Sequence, residues 1–422
     1  MSLKLITFYL LGFTVLYLEP IAIGGLTFGI LWKLILIFVL FLPVIYTVIY
    51  NKEIEMFALL LIIFACKTLI SYTSLEYPVN TLTTFIKALM LPILYLFFVN
   101  KVEKETLIFL AKHFSILIVF SFIPYMLGLL EPLGEGYDLS AYGLDTHGLI
   151  GPFINPHSAS ISLAFAMIII TSHIKRENSP LINLFYATIL ALGLYEMLQT
   201  YVRTGLAIYI ITLLYFYLHN INFKKFLQLL FMVSILGGIG AYLYQTSEVV
   251  QMRVEDRNQY VESDVAGSGR FLFWEAAVDN WMNDDGSVIL IGLGQEYAKD
   301  KMEKSVGLRI FAHNEFFQTL QQEGLIGFTI FILSLYSILR FIFRYKRFKQ
   351  AQTALGIFIG MIIMMMFQGG FYFNIVLLLS IYLALLKKAY IQEEHGLEET
   401  NTINNRSQDA FEKEYKYAYN RA

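Results

Sequence analysis

Long apolar runs of nearly bilayer length, separated by polar segments, dominate the chain from its start to about residue 386. A hydrocarbon core takes about 20 apolar helical residues to cross, and continuous runs in lipid are helical because a helix satisfies its own backbone. The pattern predicts an all-α, polytopic transmembrane helix bundle of about twelve spans. The predicted spans lie near residues 5–18, 30–50, 54–72, 82–100, 107–130, 158–174, 181–200, 203–219, 225–245, 321–341, 352–367 and 371–386.

Composition agrees with a membrane protein and excludes several other classes. Hydrophobic residues make up 57% of the chain and charged residues 15%, which is too apolar for a soluble domain of this length. The net charge of −2 indicates no nucleic-acid partner. The single cysteine, Cys66, excludes a disulfide within the chain. The first apolar run resembles a signal peptide, but without a small-residue cleavage site we interpret it as an uncleaved span.

Lysine and arginine mark one set of connecting segments, whereas the alternating set (19–29, 73–81, 131–157 and 368–370) contains neither residue. The positive-inside rule places the basic set, and with it both termini, in the cytoplasm. We therefore predict a transmembrane catalytic domain over 1–386, whose large extracytoplasmic loop covers 246–320, and a polar cytoplasmic tail over 387–422. The basic set is Lys52, Lys101, Lys104, Lys175, Arg176, Lys224, Lys225, Arg344, Lys346, Arg347, Lys349, Lys387 and Lys388.

Five charged residues inside the predicted spans lie within about two helical turns of the outer surface. They are Lys33, Lys67, Lys87, Glu196 and Arg203. Each lysine alone is explained equally well by snorkelling to the headgroups. Their common polarity favours a polar cavity that opens outward and receives an anion.

The predicted outer loop contains short amphipathic elements. Apolar residues recur at helical spacing through 271–282, which predicts an amphipathic helix that begins beside Arg270 and includes Trp274. A surface arginine at the headgroups is the alternative for Arg270. Gly292-Leu293-Gly294 lacks the context of a dinucleotide site, so a plain turn is favoured.

Three histidines lie in or beside the predicted outer segments. His313 falls at the start of a helical pattern that leads into the span at 321–341, where an interfacial histidine is the alternative to a catalytic one. His147 and His157 are ten residues apart, a spacing that fits no usual zinc pattern. We therefore expect neither a metal nor another cofactor.

Several short motifs, taken in order, resemble the O-antigen ligase and O-antigen polymerase superfamily of bacterial envelopes. Residues 151–157 resemble a further family stretch, in which an asparagine is commoner at the position of His157. The motifs are Val202-Arg203-Thr204-Gly205, Ser268-Gly269-Arg270 with Trp274, Gly292-Leu293-Gly294, and His313-Asn314-Glu315 with Gly324-Leu325-Ile326-Gly327.

The resemblance implies transfer of an oligosaccharide or polysaccharide from undecaprenyl pyrophosphate to an acceptor hydroxyl on the outer face of the bacterial inner membrane. Arg203, Arg270 and His313 match the family's functional positions. Arginine suits a pyrophosphate because its planar fork matches phosphate oxygens, and histidine suits a general base because it titrates near neutrality. Direct displacement would invert the anomeric centre. The further substrate-binding candidates are Arg309, Lys67, Lys87, Trp274 and Asn314.

The expected partners are the lipid-linked glycan donor, a lipid-linked or lipid A–core acceptor and membrane lipids, and a chain-length regulator protein is compatible with this scheme.

Polymerisation of O-antigen or capsule repeat units is favoured over ligation to lipid A–core, because no outer loop looks specialised for a large glycolipid. A lipid-linked sugar transporter is a further alternative, but it would need charges at mid-depth. Two more classes stay open, namely a metal-dependent glycosyltransferase and a membrane scaffold or channel without chemistry.

Overall fold

The computed structural model describes residues 3–19, 21–23, 26–51, 54–71, 76–134, 136, 147–174, 179–218, 234, 238, 241, 244–246, 270–370 and 372–394. Helices form nearly all the regular structure in this part of the chain, and the only sheet there is the antiparallel pair β1 (Ala22–Ile23) and β2 (Leu26–Thr27). The helices are α1 (Leu3–Leu18), α2 (Phe28–Asn51), α3 (Met56–Thr68), α4 (Pro78–Lys101), α5 (Lys104–Phe120), α6 (Ile123–Met126), α7 (Pro156–Ile174), α8 (Pro180–Gln199), α9 (Arg203–Leu218), α10 (Arg270–Met282), α11 (Gly286–Ile291), α12 (Gln295–Val306), α13 (Glu315–Arg344), α14 (Lys349–Phe367) and α15 (Phe373–Glu394).

The predicted all-α polytopic bundle is confirmed. Eight helical segments in the described part are long and apolar enough to cross a membrane, and three more apolar helices, α1, α3 and α9, are shorter. Together they coincide with eleven of the predicted spans. The predicted span at 225–245 lies almost wholly outside the described residues, so the total of about twelve stays a prediction.

Helix α7 lies at the centre of the bundle. Its residues from Ala159 to Ser172 are all buried, and it packs against α5, α8, α9 and α14. The contact with α9 is close, because a Cβ on Gly205 would stand 2.2 Å from Ser160 Oγ. Small residues allow such approach between membrane helices. The first turn of α7 is therefore held in place by the core.

The segments predicted to be cytoplasmic lie together at one end of the bundle. Lys387 pairs with Glu55 at 2.8 Å, and Arg347 pairs with Glu393 at 2.6 Å. Lys388 Nζ donates to the carbonyl oxygen of Val99 at 2.7 Å. These contacts join α3, α4, α15 and the segment after α13 at the end of the bundle that carries Arg347, Lys387 and Lys388.

The described part of the predicted outer loop folds into three helices. The amphipathic helix predicted over 271–282 is confirmed as α10, and the predicted turn at Gly292-Leu293-Gly294 separates α11 from α12. Gly292 and Gly324 both have positive φ, 84° and 63°, and a Cβ on Gly292 would stand 2.2 Å from the carbonyl oxygen of Gln322. Glycine at both positions lets the turn press against a kink in α13. Residues 247–269 of the loop lie outside the described residues.

Candidate active site

A cavity of about 700 Å³ opens at the end of the bundle opposite Arg347, Lys387 and Lys388. Its walls include parts of three segments that lack lysine and arginine, namely 19–29, 131–157 and 368–370. The volume is within the range of pockets that enclose small-molecule ligands. Among the lining residues are Lys33, Lys87, His157, His313 and Glu315. Of the five charged residues from which a cavity was predicted, Lys33 and Lys87 line this one, whereas Lys67, Glu196 and Arg203 do not.

The first turn of α13 positions His313 at this cavity. The side-chain oxygen of Asn314 accepts hydrogen bonds from the backbone nitrogens of Phe316 and Phe317, at 3.0 and 3.3 Å, and so caps the helix. Its amide nitrogen donates to the carbonyl oxygen of Met366 at 3.1 Å. Asn314 was predicted to bind substrate, but these three bonds use its amide to fix the start of the helix.

His313 has an unusual backbone and a neutral side chain. Its φ of 52° lies in the left-handed region, which is uncommon for any residue except glycine and often accompanies a functional site. Burial, and then the positive charge of Arg270, lower the pKa of His313 below its usual 6.5. No described residue hydrogen-bonds to the ring, which lies 6.3 Å from the ring of Phe273. At neutral pH the imidazole can therefore accept a proton.

Arg270 is the first residue of α10, and its guanidinium carbon lies 5.9 Å from the centre of the Phe367 ring. It interacts electrostatically with both His313 and His157. No carboxylate in the described part of the chain lies within ion-pair distance of it. Burial lowers its pKa from the usual value, but a guanidinium stays charged in proteins. Arg270 is thus a cation for which these residues supply no counter-ion.

Trp274 lies one helical turn after Arg270 on α10. Its ring packs 5.8 Å from Phe317 and 6.5 Å from Phe367, between the start of α13 and the end of α14. The indole nitrogen is buried and has no hydrogen-bond partner among the described residues. Trp274 therefore secures α10 against the bundle and carries one unused donor.

Lys87 and Glu315 both line the cavity, and their opposite charges interact. Lys87 is exposed to the cavity although it lies in the middle of α4. Glu315 accepts a hydrogen bond from the backbone nitrogen of Gly370 at 2.8 Å. The prediction for Lys87 thus has a structural basis, because its ammonium can reach a bound molecule.

Lys67 has a different environment, although its depth in the membrane is similar. Its ammonium is 3.0 Å from Glu323 and donates to the carbonyl oxygen of Ile291 at 2.7 Å. Only 8% of Lys67 is exposed, and it does not line the cavity. The lysine ties α3 to α11 and α13, which is a structural contact.

None of the three predicted arginines lines the cavity, and two of them, Arg309 and Arg203, also lie away from its histidines. Arg309 forms ion pairs with Glu296 and Asp300, both at 2.8 Å. Hydrogen bonds to these two carboxylates raise the pKa of Arg309. Burial alone would raise the pKa of Glu296, but Lys299 and Arg309 outweigh it and the pKa is lowered. Arg203 is the exposed first residue of α9 and does not line the cavity.

His157 lines the cavity but was absent from the predicted site residues. Asn155 caps α7 by accepting a hydrogen bond from the backbone nitrogen of Ser158 at 2.8 Å, so His157 occupies the first turn. Its Nδ1 lies 3.0 Å from the side-chain nitrogen of Gln368. The signal in the sequence was the Asn-Pro-His stretch at 155–157, which pairs a capping residue with a histidine as His313-Asn314 does.

The fold and this site define a polytopic helical membrane protein with a cavity at one end that is lined by lysine, glutamate and histidine side chains. Residues 187–332, which include Arg203, Arg270 and His313, match the family model described as O-Antigen ligase. Over this segment the chain is similar to the O-antigen ligase family, in agreement with the resemblance of its motifs. No curated protein matches the chain. The family match supports glycan transfer of the ligase or polymerase type in general.

Proposed function

We propose that the protein is a metal-independent, inverting glycosyltransferase that uses a glycan linked to undecaprenyl pyrophosphate. The observation that carries this proposal is the pairing of Arg270, which has no counter-ion among the described residues, with the neutral His313 beside the cavity. Both residues lie in the segment that matches the O-antigen ligase family. We assign this end of the bundle to the outer face of the bacterial inner membrane, because the segments 19–29, 73–81, 131–157 and 368–370 lack lysine and arginine, and a long loop such as 246–320 is translocated regardless of its charge.

The donor sugar is joined at its anomeric carbon to a lipid pyrophosphate. When that bond breaks, negative charge grows on the leaving phosphate, and a fixed guanidinium stabilises this charge with a fork that fits phosphate oxygens. The acceptor hydroxyl loses its proton to His313 as it attacks. In this scheme Arg270 is the pyrophosphate ligand and His313 is the general base, and the attack inverts the anomeric carbon.

The favoured reaction is polymerisation of O-antigen or capsule repeat units, in which the acceptor is another lipid-linked repeat. The second candidate is ligation to lipid A–core, and the description of the matching family favours it. Both reactions use the same bond chemistry and differ only in the acceptor.

Purified protein reconstituted with a synthetic undecaprenyl-pyrophosphate repeat unit tests the proposal. A polymerase lengthens the lipid-linked glycan without any other component, whereas a ligase forms product only when lipid A–core is added. The absence of product with both acceptors would contradict glycan transfer.

His313→Ala tests the assignment of the base in the same assay. General-base catalysis contributes about a hundredfold or more, so we expect a loss of at least that size in kcat. A loss of tenfold or less would argue against the assignment.

A further inference from the structure

His157 occupies a second helix start at the cavity. It lies in the first turn of α7, next to the capping residue Asn155, and lines the same cavity as His313. The side chains of Tyr372 and Asn374 also hydrogen-bond to α7, the first to Ser158 and the second to Ser162 at 3.1 Å. These bonds join the first turns of α7 to the start of α15 and so fix the part of α7 that carries His157.

The Gln368 amide is oriented with its nitrogen toward His157, and this orientation assigns the proton of the neutral ring. The amide nitrogen of Gln368 can only donate, so His157 Nδ1 accepts at 3.0 Å. A neutral imidazole whose Nδ1 accepts carries its hydrogen on Nε2. His157 therefore presents an N–H donor and has no free lone pair on its ring.

The two histidines at the cavity thus differ in their ability to accept a proton. No described residue hydrogen-bonds to the ring of His313, so one nitrogen can take a proton. His157 has used its acceptor nitrogen on Gln368. Arg270 interacts electrostatically with both rings. The charge of Arg270 therefore acts on the same part of the cavity as the N–H group of His157.

We propose that His157 Nε2–H donates a hydrogen bond to the pyrophosphate oxygen that leaves the donor sugar. This assignment rests on the proposed glycan transfer and adds a catalytic residue to it. The acceptor oxygen forms a bond to the anomeric carbon and its proton passes to His313. The bond from that carbon to the phosphate oxygen breaks, and its electron pair stays on this oxygen. Arg270 and the N–H of His157 stabilise the resulting anion, and His157 keeps its proton throughout.

Two substitutions of His157 distinguish a hydrogen-bond donor from a general base. His157→Gln keeps an N–H group near the position of Nε2 but cannot act as a base, whereas His157→Phe keeps the size of the ring and removes the donor. We expect His157→Phe to lose about a hundredfold or more in kcat with a smaller change in KM, because the charge grows only in the transition state. We expect His157→Gln to stay within about tenfold of the wild-type protein and to keep its pH profile.

The matched control is His173→Gln, at the other end of the same helix. It lies about 24 Å from His157 along the axis of α7 and does not line the cavity. We expect wild-type activity from it. Size-exclusion profiles and thermal unfolding of each variant in detergent establish that it is folded, and binding of the lipid-linked donor to His157→Phe establishes that the ground-state site persists.

The outcomes distinguish this inference from the proposed function. Wild-type protein that transfers no glycan contradicts the function itself. Transfer by the wild type, with full activity of folded His157→Phe, overturns the inference and leaves the function standing. Equal losses in the Gln and Phe variants, or an altered pH profile in His157→Gln, would show that His157 exchanges a proton and would also overturn it.

Discussion

Two cations near the cavity show how similar charges take different roles. Lys67 is almost fully buried, and its ammonium contacts the Glu323 carboxylate and the carbonyl oxygen of Ile291. Arg270 is partly buried, and the described residues give it aromatic and histidine neighbours without a carboxylate. A buried cation that is matched by a carboxylate joins helices, whereas one without a counter-ion is available to an anionic ligand.

The same difference divides the cavity into two regions. In the interior, Lys33 pairs with Glu19, and Lys87 lies close to Glu315. Near Arg270, the neighbouring titratable groups of the described chain are the two histidines. Among the described residues, positive charge is therefore matched by carboxylates in the interior, and it has no carboxylate partner beside Arg270. This division suits a substrate whose sugar is neutral and whose diphosphate is anionic.

The largest expected effect is on the free energy of unfolding, and it tests the structural role of Lys67. Lys67→Met leaves the carboxylate of Glu323 buried without its cation, and breaking a buried pair in this way costs about 3–5 kcal/mol. We expect a corresponding fall in the free energy of unfolding in detergent. The double variant Lys67→Met/Glu323→Leu should recover much of the loss, because neither charge then remains buried.

Lys87→Met is the matched control for stability, because it makes the same substitution at a lysine that is exposed to the cavity. We expect it to cost much less than Lys67→Met. If both lysine variants unfold alike, the distinction between a structural and a ligand-facing lysine is wrong.

The next effect in size is on catalysis. Arg270→Ala removes the guanidinium that we propose as the ligand of the leaving phosphate, and the loss of one such group costs about 10²–10³ in kcat. Arg270→Lys should recover only part of the activity, because a point charge lacks the bidentate fork. The reconstituted assay with the synthetic donor measures both. Full activity of Arg270→Lys would indicate a surface role at the headgroups.

Much of the fold was readable from the sequence, because the bilayer constrains it strongly. Long apolar runs predicted the helices, and helical spacing predicted α10 from 271–282. The absence of basic residues in alternate connecting segments identified the end of the bundle where the cavity lies. These features depend on local composition and periodicity, which need no tertiary information.

The pairing of individual charges was not readable in this way. Lys67 and Lys87 both lie in apolar runs near the same end, but only the packed bundle brings Glu323 to one of them. Lys67 and Glu323 are 256 positions apart, so no local pattern links them. Arg309 was predicted from proximity to His313 along the chain, yet α12 supplies it with two carboxylates.

The third expected effect is on the pH dependence of activity, which Arg270 influences through His313. A general base works when it is unprotonated, that is, above its pKa. Burial and the charge of Arg270 lower the pKa of His313, so activity should persist below the usual 6.5. Arg270→Gln removes that charge, which should raise the pKa and move the acid limb of kcat/KM to higher pH.

Arg270→Lys is the control for this shift, since it retains the charge and should keep the acid limb where the wild-type protein has it. The pH profiles of the residual activities measure both positions. An acid limb that stays in place in Arg270→Gln, or moves to lower pH, would contradict the proximity of Arg270 to the base.

The smallest expected effect concerns an arginine whose charge is already matched. Arg309 is held by Glu296 and Asp300 on α12, and its side chain is 43% exposed. Exposed ion pairs contribute little to stability, and a guanidinium engaged by two carboxylates is a poor ligand for a third anion. We therefore expect Arg309→Ala to retain activity within about threefold of the wild-type protein, against the large loss in Arg270→Ala, in the same reconstituted assay. A loss as large as that of Arg270→Ala would mean that Arg309 leaves its two partners when the donor binds. A carboxylate partner would then not distinguish a structural cation from a ligand-binding one in this loop.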